Sequence, residues 1–336
     1  GLFDPHLNRR SDLVSMHVSG SPFALQVVGS AAAQLYSPFN QSLEPCSAAL
    51  GTPGRWILDD HDNGFMPQDP VLKHRWQWFP LHCVSGQLHR RIERLGLSAV
   101  PPQLAALRIL FLGTSLQRNT QYTLACLLGS RSCNMDAYVQ MKYDDDIWFN
   151  DTRPALSFHR LHAGHCMRTN FSELMPEVQH SVRQHAPDVI VLQACHHGFA
   201  MGLLHDYPKR LRQLLDIVTT SVKPARVVLR LCDAAHDASI ALGLLGRRRC
   251  HIRGISGPRL QELNRVALEI LRDYPVVEVW DTFSVTAPVR EAAVDGIHFG
   301  LDQGDTLTPS FVAHEAHNVL LDMLTHPPRG AQARVE

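Results

Sequence analysis

A chain of 336 residues that is 45% hydrophobic is long enough for one large core and a smaller unit beside it. The lysines and arginines total 32, and so do the aspartates and glutamates, so no net charge attracts nucleic acid or an anionic membrane surface. No apolar run approaches the roughly 20 residues that a membrane-spanning helix needs. We therefore expect a soluble chain whose partners are neutral and do not include nucleic acid.

The cysteines and glycosylation motifs indicate an oxidising compartment. Eight cysteines without a Cys-x-x-Cys pair favour disulfides over zinc or redox chemistry. Asn-x-Ser/Thr sequons at Asn40, Asn150 and Asn170 agree with that interpretation. We expect the protein in the secretory pathway, either in the Golgi lumen or outside the cell, and any membrane tether would lie outside this sequence.

Residues 1–30 predict a β hairpin. Two alternating apolar stretches, at 13–18 and 23–28, are separated by the turn sequence Ser-Gly-Ser-Pro. The pattern resembles the last two strands of a filamin-type immunoglobulin-like repeat. Such a repeat implies a contact surface for a protein partner, whereas the alternative is a chance hairpin within a linker.

Residues 31–100 predict a linker followed by an aromatic segment that packs on the next domain. The linker is rich in Ser, Ala, Pro and Gln, and three of the five tryptophans follow it. These indoles would either stack on sugar rings or pin an irregular segment in place. Cys46 and Cys83 flank the segment, and a disulfide between them would favour the second interpretation.

From residue 101 the sequence alternates between apolar strands and amphipathic helices. The predicted strands cover residues 107–112, 137–141, 188–193, 226–231 and 276–280. The predicted helices cover residues 116–128, 172–185, 207–222, 258–273 and 309–324. The alternation predicts an α/β domain over 101–328, with a mainly parallel five-stranded sheet covered by helices on both faces, and a tail at 329–336.

A serine and a histidine follow the first and last of these strands. Ser115 lies on the turn into a helix, where free N–H groups and the helix dipole favour negative charge. Asp295 and His298 lie in a loop after the last strand. Because ligands bind beyond the carboxyl ends of parallel strands, we expect the three to meet. They predict a triad with Ser115 as nucleophile, His298 as base and Asp295 as the group that orients the imidazole.

Three short blocks resemble the PC-esterase branch of the SGNH (GDSL) hydrolase superfamily. That branch includes plant trichome-birefringence-like polysaccharide O-acetyltransferases and neurexophilin-and-PC-esterase domain proteins. The blocks are FLGTSLQRNTQYTLACLL around Ser115, DVIVLQACHH at 188–197 and DGIHF around His298. The resemblance covers residues 46–325 and implies an SGNH-like fold. A filamin-like repeat ahead of the PC-esterase domain also occurs in relatives of the neurexophilin group.

The resemblance also implies roles for residues outside the triad. Arg118 matches the arginine of the first block and would assist the oxyanion or clamp a glycan, with a structural or helix-surface charge as the alternative. His197 matches the third-block position that donates to the oxyanion. Gly164 is assigned as the second-block glycine without a motif to support it. Thr114 replaces an aspartate that is structural in the family, and its hydroxyl would preserve the turn.

These features predict a serine-dependent carbohydrate O-acetyltransferase that works through an acyl-serine, with an acetyl donor as co-substrate and no cofactor. A carbohydrate acetyl esterase would use the same triad with water as the acceptor. From another class, a non-catalytic module would bind glycans or proteins, and Thr114 is its best support.

No metal site is expected from the sequence. The histidines at 159, 162 and 165 lack the spacing of a standard closed zinc site. The sequence His314-Glu315-Ala316-His317 lacks the i, i+4 spacing of a HExxH metalloprotease helix.

Overall fold

A computed structural model describes residues 54–59, 75–80, 88–141, 144, 146–161, 171–195, 204–220, 226–236, 255–293, 297–299 and 311–326. The predicted filamin-like hairpin, the sequons at Asn40 and Asn170, and Cys46 and Cys83 lie outside these residues. In the part of the chain so described, each helix is too short or too polar to cross a lipid bilayer.

The described ranges contain the following strands and helices. The strands are β1 (Gly54–Asp59), β2 (Arg75–Pro80), β3 (Arg108–Gly113), β4 (Asp146–Phe149), β5 (Ala155–Arg160), β6 (Val189–Leu192), β7 (Arg226–Arg230) and β8 (Val277–Trp280). The α-helices are α1 (Leu88–Leu95), α2 (Pro102–Ala105), α3 (Ser115–Leu127), α4 (Met135–Met141), α5 (Phe171–His185), α6 (Tyr207–Thr220), α7 (Gly257–Ile270), α8 (Thr282–Thr286) and α9 (Phe311–Thr325). Short 3₁₀ segments cover Gly96–Ala99, Leu204–Asp206, Leu271–Asp273 and Ala287–Ala292.

The main sheet has six strands among the described residues, in the order β4-β5-β3-β6-β7-β8. β4 is antiparallel to β5, and the other neighbours are parallel. Taken alone, the parallel strands have the doubly wound order 2-1-3-4-5, in which ligands bind where the winding direction changes. Here the change falls between β3 and β6. β1 and β2 form a separate antiparallel pair within the aromatic segment that follows the predicted linker.

The predicted five-stranded sheet is therefore wrong in two places. Residues 137–141 form helix α4 instead of a strand, because Oδ1 of Asn134 accepts the N–H of Ala137 at 2.8 Å and Asp136 complements the dipole of the first turn. The place of that strand beside β3 is taken by β5, and β4 pairs with its outer edge. Polar residues such as Ser157 and His159 interrupt the apolar pattern of β5, although both are buried.

Helices cover both faces of the sheet, as predicted, because its central strands send alternate side chains into two cores. Leu110 and Leu112 pack with apolar residues of α5, α6 and α7. Ile109 and Phe111 pack with apolar residues of α1, α3 and α9. Each such fully buried side chain stabilises the fold by about 1.5–3 kcal/mol relative to exposure.

The C-terminal helix α9 is attached to the sheet by Arg226, the first residue of β7. The Nη2 group of Arg226 donates to the carbonyl of Met323 at 2.5 Å, and Nη1 donates to that of His326 at 2.7 Å. The same guanidinium forms a buried ion pair with Glu278 of β8. Arg226 therefore places a cation at the C-terminal end of α9, where it binds one carbonyl of the last turn and one just beyond it, and the helix dipole favours that charge.

Removing the disulfide between Cys126 and Cys133 is expected to lower the free energy of unfolding by about 2–3 kcal/mol. The bond joins residues seven positions apart, and the expected cost follows from the entropy of closing a short loop in the unfolded chain. The measurement is urea unfolding of the Cys126→Ala, Cys133→Ala double variant under non-reducing conditions. Equal stability of the two proteins without reductant would contradict the prediction.

Candidate active site

The turn that carries Ser115 is tight because β3 and α3 meet without an intervening loop. Thr114 is the N-cap residue in extended conformation, and Ser115 is the first residue of α3. A Cβ atom on Gly113 would lie 2.7 Å from the Cβ of Gln117 and 3.3 Å from that of Gln193. Glycine is therefore required at this position so that the start of the helix can lie directly against the ends of β3 and β6.

The structure brings Ser115 and His298 together. The Oγ atom of Ser115 lies 2.8 Å from Nε2 of His298, although the two residues are 183 positions apart. The histidine is fixed by its neighbours, since Ile297 is buried in the core beneath α5–α7 and Phe299 in a smaller cluster with Val285. Both catalytic candidates are themselves partly exposed, so solvent or a substrate can reach them.

This geometry suits nucleophilic attack by the serine oxygen. If Nδ1 of His298 carries the ring proton, Nε2 is free to accept the hydroxyl proton of Ser115. The first N–H groups of α3 have no acceptor within the helix, so they are available to an oxyanion that develops beside Ser115. The helix dipole adds to the same effect.

Arg118 lies one turn further along α3 and is not a surface charge, since its exposed fraction is 7%. Its Nη2 group donates to Oδ1 of Asn119, and the guanidinium lies 5.9 Å from the centre of the Tyr138 ring. Burial lowers the pKa of Arg118, with Tyr138 opposing and the nearby Arg160 adding to that shift. Arg160 ends β5 opposite Gly113, so both cations lie near the carboxyl edge of the sheet.

The sequence analysis did not identify Arg230, which positions α3. Its Nη1 group donates to Oγ1 of Thr120 at 2.6 Å and to Oε1 of Gln117 at 3.1 Å, and Nη2 donates to Oδ2 of Asp233 at 2.7 Å. The amide of Gln117 in turn donates to the carbonyl of Val191 at 2.8 Å.

The expected role of the Thr114 hydroxyl is wrong. This hydroxyl is buried, makes no capping bond to α3, and finds no hydrogen-bond partner in the described part of the chain. The turn is instead maintained by close packing at Gly113 and by the hydrogen bonds of Gln117.

Replacing Thr114 by valine is therefore expected to change the free energy of unfolding by less than about 1 kcal/mol, or to raise it, because an unsatisfied buried hydroxyl is removed. The matched control is Thr282→Val, whose hydroxyl is equally buried but donates to the carbonyl of Leu231 at 2.9 Å. The control should lose about 1–3 kcal/mol in urea unfolding. A larger loss for Thr114→Val than for the control would show that the Thr114 hydroxyl has a partner.

The remaining predicted site residues, Asp295, His197 and Gly164, lie outside the described residues. Their assignment as orienting group, oxyanion donor and second-block glycine stays a prediction.

No family model matches the chain, and no curated protein has significant similarity to it. Among solved structures, the chain is similar to a protein from Parabacteroides merdae described as a GDSL-like lipase, with 14% identity, coverage of 65% of this chain and 95% of that chain, and a TM-score of 0.41. It is also similar to a lipase/acylhydrolase from Enterococcus faecalis, with 14% identity, coverage of 64% and 93%, and a TM-score of 0.37. At such values the likeness decides neither family nor activity, and the functional conclusion depends on the Ser115–His298 geometry.

Proposed function

We propose that this protein is a serine-dependent carbohydrate O-acetyltransferase. The observation that carries the acyl-transfer chemistry is the 2.8 Å separation between Oγ of Ser115 and Nε2 of His298 at the N-terminus of α3. The choice of acetyl as the acyl group and of a glycan as the acceptor rests on the resemblance of the blocks around Ser115 and His298 to the PC-esterase branch. We place the enzyme in the Golgi lumen or outside the cell, where the Cys126–Cys133 disulfide would persist.

The proposed reaction has two half-reactions. His298 takes the proton of Ser115 as the serine oxygen attacks the acetyl carbonyl, and N–H groups of the first turn of α3 stabilise the oxyanion. The donor leaves with the proton from His298, and an acyl-serine remains. A sugar hydroxyl then attacks this ester while His298 accepts its proton, and Ser115 is released. Asp295 would orient the imidazole, and His197 would add a donor to the oxyanion.

Arg118 fits the acceptor side of this reaction. Its buried guanidinium lies beside Tyr138 and Arg160, so a polar or acidic group of the glycan would meet two positive charges. A carbohydrate acetyl esterase is the second candidate function, because Ser115 and His298 are partly exposed and water can reach an acyl-serine there. The transferase and the esterase differ in whether a sugar hydroxyl or a water molecule attacks the acyl-serine.

The test is incubation with p-nitrophenyl acetate, with and without xylan-like polysaccharide. Intact-mass and peptide mass spectrometry should find one acetyl group on Ser115, and the polysaccharide should gain acetyl esters at the expense of free acetate. Release of acetate that is unaffected by any glycan would favour the esterase. Glycan binding without acetyl-enzyme or ester turnover would reject both and favour a non-catalytic binding module.

A further inference from the structure

A group of metal-binding side chains lies where α1 packs against α9. His89 and Glu93 are four residues apart and therefore share one face of α1, and His314 faces them from α9. One ligand atom from each lies within 4.8 Å of the other two. The two helices also share hydrogen bonds at this contact, since the N–H of His89 donates to Oδ1 of Asn318 at 2.9 Å.

The separations are close to those of a zinc site. Nε2 of His89 lies 3.6 Å from Oε1 of Glu93, and Nε2 of His314 lies 3.0 Å from Oε2 of the same carboxylate. In tetrahedral zinc coordination, with bonds of about 2.0–2.1 Å, neighbouring ligand atoms are about 3.3 Å apart. The imidazoles of His89 and His314 are stacked with centroids 3.9 Å apart and an interplanar angle of 24°, so one of the two rings has to rotate for both nitrogens to point at the same ion.

The state of His89 is the strongest sign that this cluster has a ligand. The side chain is fully buried, and neither ring nitrogen has a hydrogen-bond partner within the described residues. An imidazole buried in this way costs free energy unless something binds it.

A second carboxylate, that of Glu315, contacts the other ring nitrogen of His314. Nδ1 of His314 lies 3.3 Å from Oε1 of Glu315, and that carboxylate also accepts a hydrogen bond from Nη2 of Arg90 at 2.9 Å. Metal-binding histidines almost always donate their other ring N–H to a carboxylate, carbonyl or water, which directs the free lone pair at the metal. Glu315 therefore favours the tautomer of His314 that carries its proton on Nδ1, in which the lone pair of Nε2 is directed toward the proposed ion beside Glu93.

We propose that His89, Glu93 and His314 bind one Zn²⁺ ion, with water as the fourth ligand. The ion enters from the side of Glu93, which is exposed, and ties α1 to the C-terminal helix. The role of the ion is structural, because the group lies away from the nucleophile. The nearby His317 contacts Thr123, which lies eight residues after Ser115 and thus about 12 Å further along α3. The sequence analysis did not consider this group, in which Glu93 and His314 lie 221 positions apart.

The test uses the whole chain, freed of metal by a chelator and titrated with Zn²⁺ and with Co²⁺. Calorimetry should give one Zn²⁺ per chain, the melting temperature should rise, and bound Co²⁺ should have the visible absorption of a four-coordinate ion. Glu93→Gln, which keeps the side-chain shape, should weaken Zn²⁺ binding by about tenfold or more. The matched control is Glu262→Gln, a carboxylate of equal exposure on α7, which should bind Zn²⁺ like the wild type.

Absence of saturable Zn²⁺ binding to the folded wild type would overturn the proposal. Equal affinity of the wild type and Glu93→Gln would also overturn it, since the ion would then occupy another place. His314→Gln provides a second ligand variant, and circular dichroism establishes that each variant is folded before titration. Loss of Zn²⁺ binding in folded His314→Gln, with retention in Glu262→Gln, would support the assignment.

Discussion

Replacing Ser115 by alanine is expected to lower kcat/KM for p-nitrophenyl acetate by a factor on the order of 10⁴ or more. The variant lacks the only atom through which an acyl-enzyme is proposed to form, while the N–H groups of α3 remain. The loss should appear in kcat, because substrate binding does not need the nucleophile. Initial rates and intact-mass measurements of the acetyl-enzyme check both expectations.

His298→Ala should cause a loss of similar size, since the serine would keep its proton without a base 2.8 Å away. The two residues act as a unit, so the double variant should be hardly worse than either single variant. Ser256→Ala is the control for Ser115→Ala, because Ser256 is a serine at the start of another helix, the N-cap residue of α7, and its side chain makes no capping bond. Substantial activity in Ser115→Ala would refute the proposed nucleophile.

Replacing Arg230 by methionine is expected to lower the free energy of unfolding by about 3–5 kcal/mol. The substitution leaves the carboxylate of Asp233, with an exposed fraction of 1%, buried without its cation. It also removes the donors that reach Gln117 and Thr120, so α3 loses its attachment to β7. Activity should fall as well, because α3 carries Ser115.

Urea unfolding followed by circular dichroism measures this effect. The control is Arg265→Met, whose ion pairs with Glu262 and Glu269 are exposed and should be worth no more than about 1 kcal/mol. Adding Asp233→Leu to Arg230→Met should recover part of the lost stability, since no uncompensated charge then remains. Equal unfolding midpoints for the Arg230 and Arg265 variants would contradict the prediction that the buried Arg230–Asp233 ion pair contributes more to stability than the exposed pairs of Arg265.

The parts of the fold that were predictable are those in which local pattern and tertiary environment agree. β3, β6, β7 and β8 are short apolar runs between amphipathic helices, and buried parallel strands have that pattern. The prediction failed at residues 137–141, where Tyr138 and Val139 favour a strand but the cap at Asn134 starts a helix. It also missed β5, where His159 is buried because Asp146 of β4 accepts its Nδ1–H at 2.8 Å.

In the candidate site too, features that follow from local sequence pattern were predictable and those that depend on tertiary packing were not. Ser115 and His298 were identifiable because they come after the first and the last predicted strand, and parallel topology places strand ends together, although α8 and a 3₁₀ segment separate β8 from His298. The contacts of Arg230 with α3 and of His89 with His314 were not, since these partners lie more than 100 positions apart in sequence and only packing brings them together. The unused hydroxyl of Thr114 was likewise invisible, because residue type does not tell which acceptors folding supplies.

The attachment of α9 has a consequence for the order of events during biosynthesis. This helix is the last described element to leave the ribosome, yet its Leu320 and Leu321 complete one of the two cores. Arg226, synthesised earlier and paired with Glu278, reaches its two carbonyl acceptors at Met323 and His326 only when α9 docks. Until α9 has been synthesised and has docked, apolar side chains on that face of the sheet, such as Ile109 and Phe111, lack part of their packing, so native packing there waits for the synthesis of this helix.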